Sequence, residues 1–264
     1  MAYFEPKVQK FIEKNNDVLS LNISIDGNKK LHDKCRIDIE GNPTYDRAIA
    51  AMDHYVNHYH GYRNSKLTIA PENVNYLYEA IVSMINHGYD DIHLNCIYEK
   101  GWEFHHATTL YYELKKISDY LLKNDLEDKI FLSILDPTFG HALPEDNLTK
   151  WCGGTGLMIA VNWKGEIFPC QRYAENSLGN NQAPYTIGNL DDGIAVNPIE
   201  QERVKCLDCI NRRTESTDEC FYCPIASGCG ECSAYNYEIY GTPDKKTTFS
   251  CVMHKARILA ISYL

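Results

Sequence analysis

The chain has 264 residues, 44% hydrophobic and 23% charged, an ordinary globular composition with length for one large domain or two modest ones. Lys and Arg number 26 against 36 Asp and Glu, a formal net charge of -10, so the overall field repels nucleic acid and disfavours a nonspecific phosphate-backbone binder. No apolar run approaches the roughly 20 residues that cross a bilayer, and the start MAYFEPKVQK lacks the apolar core of a signal peptide, so a cytoplasmic protein with no membrane partner is expected.

In chain order, residues 5–15 predict a helix with Val8, Phe11 and Ile12 on one face. A strand is predicted over 18–25, closed by the turn chemistry of Asp26-Gly27. Beyond a polar loop reaching Gly41, residues 45–59 place Ile49, Met52, Tyr55 and Val56 at helical spacing. A strand over 66–70 leads to Pro71 at a first helical position, a helix to about Asn86, and Gly88 just past its end. The pattern repeats with a strand over 91–98, a helix over 104–122 and a strand over 130–135. Such alternation predicts βαβ units, and four parallel strands make about half of a barrel with an open edge.

From Pro137 the texture changes. Residues 158–161 and 166–168 flank Asn162-Trp163-Lys164-Gly165 as a short hairpin, and 176–193 reads as loop. Residues 206–232 are too crowded with Cys and Gly for regular structure, and 250–264 closes the chain as a helix. The expected fold class is α/β: a partial (β/α) barrel over 1–140, then a small Cys-rich α+β domain over 141–264.

Nine of the 11 cysteines fall between residues 152 and 251. Their order is Cys152, twelve residues, Gly165, four residues, Cys170; then Cys206-x2-Cys209; then Cys220-x2-Cys223-x5-Cys229-x2-Cys232; then Cys251. Two thiolates two residues apart grip one metal because the intervening turn points both sulfurs inward, a device shared by zinc knuckles and iron-sulfur proteins. In a reducing compartment such clusters read as metal ligands before they read as disulfides. Cys35 and Cys96 are isolated and expected in the core without a role. His54, His58, His60, His105 and His106 have no metal spacing, and Gly153-Gly154-Thr155-Gly156 lacks the Lys of a phosphate loop.

This cysteine order resembles the SPASM domain, the auxiliary-cluster extension of radical S-adenosylmethionine (SAM) enzymes. The family form has three residues between the last two cysteines of the block, whereas two separate Cys229 from Cys232. Upstream, the run Asn22-Ile23-Ser24-Ile25-Asp26-Gly27, then Leu31-His32-Asp33, Arg36 and Thr44-Tyr45-Asp46 are similar to the middle of the radical SAM barrel. The run from Cys220 through Cys223-Pro224 to Cys229, with Tyr235-Asn236-Tyr237, most resembles the maturases of Cys-rich (CXXX-repeat) ribosomal peptides.

The resemblance implies two auxiliary 4Fe-4S clusters. Cys152, Cys170 and Cys232 would bind the first, with Cys206, Cys209 or a substrate thiolate as its fourth ligand, and Cys220, Cys223, Cys229 and Cys251 the second. It also implies Ser24 and Asp26 near the SAM ribose and Arg36 at its carboxylate, with Asn95 and Tyr98 ending a strand nearby. Gln171 stands where sulfatase-maturating relatives carry an aspartate proposed to accept a proton, which lowers that reading, while Arg172 and Tyr173 are candidates to tune a cluster or touch a peptide.

The catalytic cluster of such enzymes uses Cys-x3-Cys-x2-Cys, a spacing absent from the 11 cysteines. The chain is therefore expected to be the C-terminal portion of a radical SAM peptide maturase, as a truncation, a mis-start or half of a split enzyme, and inactive alone. SAM and a third 4Fe-4S cluster would belong to the complete form, which would join a carbon of a ribosomally synthesised precursor peptide to a cysteine sulfur as a thioether. A separate chain is one source of the missing barrel half. The alternative reading is a zinc or iron-sulfur module that binds a peptide or partner protein without catalysis.

Overall fold

A computed structural model describes residues 5–19, 21–59, 63–99, 101–150, 152–179 and 182–264. The chain divides into two compact units: residues 1–97, 101–137 and 252–264 form the first, and 98–100 with 138–251 form the second.

In the first unit, α1 (Pro6–Asn15) starts on a proline in its first turn and buries Ile12. Residues 21–26 join no ladder, with Ile23 and Ile25 buried, so the strand predicted over 18–25 does not form, and Ser20 lies outside the described residues. Side chains take up part of that backbone instead: Ser65 Oγ donates to Ile25 O at 3.1 Å, and Asp26 Oδ1 accepts from Thr68 N at 3.2 Å. The polar loop that follows contains a short helix, α2 (Lys29–Cys35), because Asn28 caps it by accepting from Leu31 N at 3.1 Å. Gly27 has φ +77°, and an added Cβ would lie 2.3 Å from Ala80 Cβ, so glycine is required there by both conformation and space.

Helix α3 (Tyr45–Tyr59) presents Met52, Tyr55 and Tyr59 to the core, as its periodicity predicts. Strand β1 (Asn64–Ile69) leads through a turn and a 3-10 segment, Val74–Tyr76, into α4 (Leu77–Asn86), so the predicted helix begins later than Pro71. Then come β2 (Asp91–Cys96), α5 (Phe104–Lys123) and a two-residue β3 (Phe131–Leu132) that turns at once into the 3-10 segment Ser133–Leu135. The sheet is parallel in the order β1-β2-β3, with Asn64 opposite Asp91, Ile69 opposite Cys96, and Asp91 opposite Phe131. Among the described residues it has three strands rather than the four expected. Helices α4 and α5 cross over between parallel strands and pack on each other, burying Leu77, Ile81, Leu110, Leu114 and Ile117 with Ile69, Ile92 and Leu94. No helix of the described residues is long and apolar enough to cross a membrane.

The second unit holds an antiparallel sheet in the order β4 (Ala160–Val161), β5 (Glu166–Phe168), β6 (Gly188–Asn189), β7 (Gly193–Ile194). The predicted hairpin is β4 and β5, with Ala160 opposite Phe168. The predicted loop over 176–193 supplies β6, and its Asn180 and Asn181 lie outside the described residues. Gly188 fits because an added Cβ would meet Gly193 O at 2.2 Å. The stretch expected to be irregular is partly helical: α6 (Pro198–Cys209), α7 (Arg212–Glu215) and α8 (Asp218–Phe221), followed by α9 (Ser233–Tyr240). Asn197, Asn211 and Thr217 cap the first three, which overrides the crowding of Cys and Gly. The core is Ile167, Phe168, Leu207 and a trio of rings, Tyr173, Tyr185 and Tyr237, whose centroids stand 4.9 to 6.0 Å apart. The unit ends at Cys251, first residue of α10 (Cys251–Ile261), whose Met253, Ala256 and Ala260 belong to the first unit's core.

Candidate metal centre

All 11 cysteines are free thiols. Three of them occupy equivalent local positions. Cys152 is the N-cap of the 3-10 turn Gly153–Thr155, Cys170 that of the turn Gln171–Tyr173, and Cys232 that of α9. Helix α9 packs against both turns, which brings the three N-caps into one neighbourhood. Burial pushes the Cys170 thiol up, with the N–H groups of Arg172 and Tyr173 opposing and Cys152 reinforcing. Burial likewise pushes Cys232 up to about 12, opposed by Tyr235 N–H and reinforced by Cys152 and Cys170. Gly154 lies beside the sulfurs: a Cβ there would make van der Waals contact at 3.4 Å with Cys170 Sγ and 3.5 Å with both Cys152 Sγ and Ser233 Oγ. The fully buried Ser233 hydroxyl donates to Cys152 Sγ at 3.8 Å.

A second set forms around Cys229. Burial raises its thiol, the Lys246 ammonium opposes, and Cys251, Cys220 and Cys223 add like charge in that order. Successive turns place these residues, with Cys223 N donating to Cys220 O, Ala226 N to Cys223 O and Cys229 N to Ala226 O at 3.0 to 3.4 Å. Gly228 permits the last turn, with φ +73° and a hypothetical Cβ 2.3 Å from the Phe139 ring.

Cys206 and Cys209 stand apart from both sets. They lie one turn apart on α6, where burial raises Cys206 and its charged or polar neighbours are Asp244, Tyr185, Cys209 and Glu202. Cys209 is exposed. Cys96 is isolated in the core, its thiol pushed up to about 12 by burial, whereas Cys35 is exposed at the end of α2, not in the core. Among the described residues no three His, Cys, Asp or Glu side chains form a group that could hold a single metal ion.

Next to the thiols lies a buried charge cluster that the cysteine spacing does not announce. Lys246 Nζ stands 3.3 Å from Glu231 Oε2, with side-chain exposures of 7% and 1%. Glu215, at the end of α7, faces Glu231. Burial, then Glu231, push the Glu215 carboxyl up to about 10, so it carries a proton at neutral pH. Arg172 is tied by ion pairs to Glu99 at 2.8 Å and Glu238 at 3.2 Å and donates to Ser177 O. Gln171 beside it is exposed.

The residues expected at SAM separate into two kinds. Ser24 and Arg36 line a cavity of about 750 Å³ in the first unit, together with Asn22, His32, Thr44 and Arg47. Asp26 lies behind Arg36 and grips it with both oxygens, at 2.5 Å to Nε and 3.2 Å to Nη2. The motif residues around them build the wall. Asp26 N donates to His32 Nδ1 at 3.3 Å, which leaves Nε2–H to reach Thr44 Oγ1 at 3.0 Å, and Thr44 Oγ1 donates to Arg36 O at 2.6 Å. Burial holds the His32 pKa below its ordinary value, in keeping with this neutral tautomer. Asp33 Oδ1 accepts from Thr44 N and Tyr45 N at 2.9 and 2.8 Å, fixing the entry to α3. Asn95 is exposed on β2, and the Tyr98 hydroxyl packs 2.7 Å from where a Cβ of Gly230 would be. His54 and His58 stack on α3 at 4.0 Å, and His60 lies outside the described residues.

The fold is similar to that of solved anSMEcpe structures. The structure of polyhistidine-tagged anSMEcpe with bound AdoMet superposes with a TM-score of 0.63 at 14% identity, covering 97% of this chain and 67% of that one. Native anSMEcpe with bound AdoMet and the Cp18Cys peptide gives 0.63 at 14% identity, over 97% and 70%, and the Kp18Cys complex gives 0.61 over the same shares. No protein-family model and no curated protein matches the chain.

Proposed function

We propose that this chain is the auxiliary-cluster portion of a radical SAM peptide maturase that forms thioether or related cross-links in a Cys-rich ribosomal precursor peptide. The observation that supports the reading is that Cys152, Cys170 and Cys232 each cap an N-terminus, with α9 packed against the other two turns, while Cys220, Cys223 and Cys229 share one run of turns. The fold likeness to a radical SAM maturase solved with peptides supports the same class of partner.

When bound, 4Fe-4S clusters at these sets supply electron acceptors and, where a protein ligand is lacking, an iron open to a thiolate. The chain's own residues do the rest. Arg172, Tyr173 and Tyr235 N–H groups and the Ser233 hydroxyl stabilise thiolates at Cys170, Cys232 and Cys152. Cys206 and Cys209 face other neighbours, which leaves a substrate cysteine as the favoured fourth ligand of the first set. Asp26 and the His32-Thr44 chain hold Arg36 at the cavity wall, where its guanidinium and Ser24 would meet SAM. The reductive cleavage of SAM needs a Cys-x3-Cys-x2-Cys cluster that these residues do not ligate.

Iron, zinc and acid-labile sulfide in anaerobically reconstituted protein test the reading, with Cys220→Ala beside the wild type. About eight irons and eight sulfides per chain, halved in the variant, are expected for two four-iron clusters. Tightly held zinc without sulfide would replace the reading with a structural zinc module.

A further inference from the structure

Strand β4 forms one edge of the second unit's sheet, and its own sequence does nothing to protect that edge. From Trp151 to Trp163 the chain carries no charged residue and no proline, so the devices that keep a free edge from pairing are absent. The register fixes which backbone groups the edge offers. Ala160 lies opposite Phe168 and Val161 opposite Ile167, and Asn162 N donates to Glu166 O at 3.1 Å. Hydrogen-bonded positions alternate along an antiparallel pair, so Ala160 and Asn162 bond towards β5 while the N–H and C=O groups of Ile159 and Val161 point away from it. Side chains add an apolar surface. Ile159 and Val161 share one face of the strand and are 57% and 44% exposed, flanked by Leu157 at 73% and Trp163 at 89%. The opposite edge of the sheet differs, because β7 has left-handed residues on both sides of Ile194, Gly193 at φ +96° and Ala195 at φ +59°, which stop it from extending.

We infer that β4 is the contact between two copies of this chain, paired antiparallel about a two-fold axis at Ala160. In that register Ile159 of one copy exchanges backbone hydrogen bonds with Val161 of the other, and the two Ala160 residues face each other at the close, non-hydrogen-bonded position, where a small side chain fits. Such a pair matches each edge to itself, as an isologous interface requires. The exposed surface is of the right size: Leu157, Met158, Ile159, Val161 and Trp163 together present roughly 700 Å², so two copies cover up to about 1,400 Å², within the roughly 1,200 to 2,000 Å² of stable interfaces. A second copy supplies both the free strand and the matching apolar face.

Sedimentation equilibrium of the full chain tests this, with hydrogen exchange read on peptides spanning 157–163. A monomer–dimer equilibrium is expected, with exchange over 157–163 slowing as the chain is concentrated. Ile159→Lys/Val161→Lys puts ammonium groups on both sides of the axis and should raise the dissociation constant at least about a hundredfold. Trp163→Ala, in the turn and outside the ladder, should raise it about tenfold without disturbing β4 itself. Ile194→Lys, at the other edge, should leave association unchanged. A chain that stays monomeric up to submillimolar concentration overturns the inference, and so does a dimer that both the lysine variant and Trp163→Ala retain, or that Ile194→Lys dissolves. In a monomeric chain, slowing of exchange over 157–163 by an added synthetic Cys-rich peptide would give the edge to a substrate strand instead.

Discussion

Arg212 offers a test of how the second unit is held together. The side chain is 1% exposed, and its guanidinium donates to four carbonyls: Pro144 O at 2.6 Å, Asn147 O at 3.0 Å, Leu143 O at 3.2 Å, and Phe221 O. It also lies 4.2 Å from the centroid of the Phe221 ring. One side chain therefore ties the loop around residues 143–147 to α8, which carries Cys220. Arg212→Met keeps most of the volume and removes every donor. One buried and three part-buried carbonyls left without these partners cost about 1 kcal/mol each at the low end, offset in part because a buried guanidinium no longer has to be desolvated. The expected net loss is about 2 to 4 kcal/mol, a large share of the roughly 5 to 15 that a domain has. Hydrogen exchange read on peptides spanning 138–150 should accelerate about thirty- to eight hundredfold, at about 1.4 kcal/mol per tenfold. Arg212→Lys should lose most of the same protection, since one ammonium cannot reproduce the planar fork. A loss under about 1 kcal/mol in Arg212→Met would mean that water replaces the guanidinium and that the loop does not depend on it.

Gly27→Ala should lower the thermal midpoint through αL strain and the clash with Ala80, together about 2 to 5 kcal/mol, and a second change, Ala80→Gly, should restore part of the loss. Burial would by itself lift the Asp33 carboxyl, but the Tyr45 and Thr44 N–H groups and the Lys29 ammonium hold it below its ordinary value. Its contribution is therefore present above the unfolded carboxylate pKa of about 3.9 and is lost as pH falls through the folded value. Asp33→Asn should be less stable at pH 7 and show a flatter acid limb in urea midpoints; unchanged midpoints across that range would refute the cap. Glu215 has the opposite sign. Its folded carboxyl is raised to about 10, so its stabilising effect is complete only below the unfolded value and fades as pH rises toward 10. Glu215→Gln should be more stable than the wild type at pH 8, and the difference should vanish below about pH 4.

Much of the first unit was legible in the sequence because periodicity and capping are local. The apolar stripe of α3, the strands near 66 and 91 and the helix over 104–122 all occur within a few residues of their expected places. Residues 21–26 have the alternating burial of a strand, but a strand also needs a neighbour in register, and here side chains of Ser65 and Asp26 take part of that place. The motif residues His32, Asp33 and Thr44 were visible as a pattern, while their work as a wall behind Arg36 was not, since it depends on atoms 11 and 12 residues apart in the chain.

The amino-acid order alone determined the residue types available for metal chemistry: nine cysteines in one stretch, pairs two residues apart, and no Cys-x3-Cys-x2-Cys. Their division between two clusters came from the family resemblance and not from spacing, because in the chain Cys229 and Cys232 are neighbours while Cys152 and Cys232 are distant. Tertiary structure decided that α9, which Cys232 caps, packs against the turns capped by Cys152 and Cys170. It also decided that Lys246, Glu231 and Glu215 meet out of water. Spacing records which side chains can reach a common point through one turn, but only long-range packing brings separate turns together and removes the solvent between them.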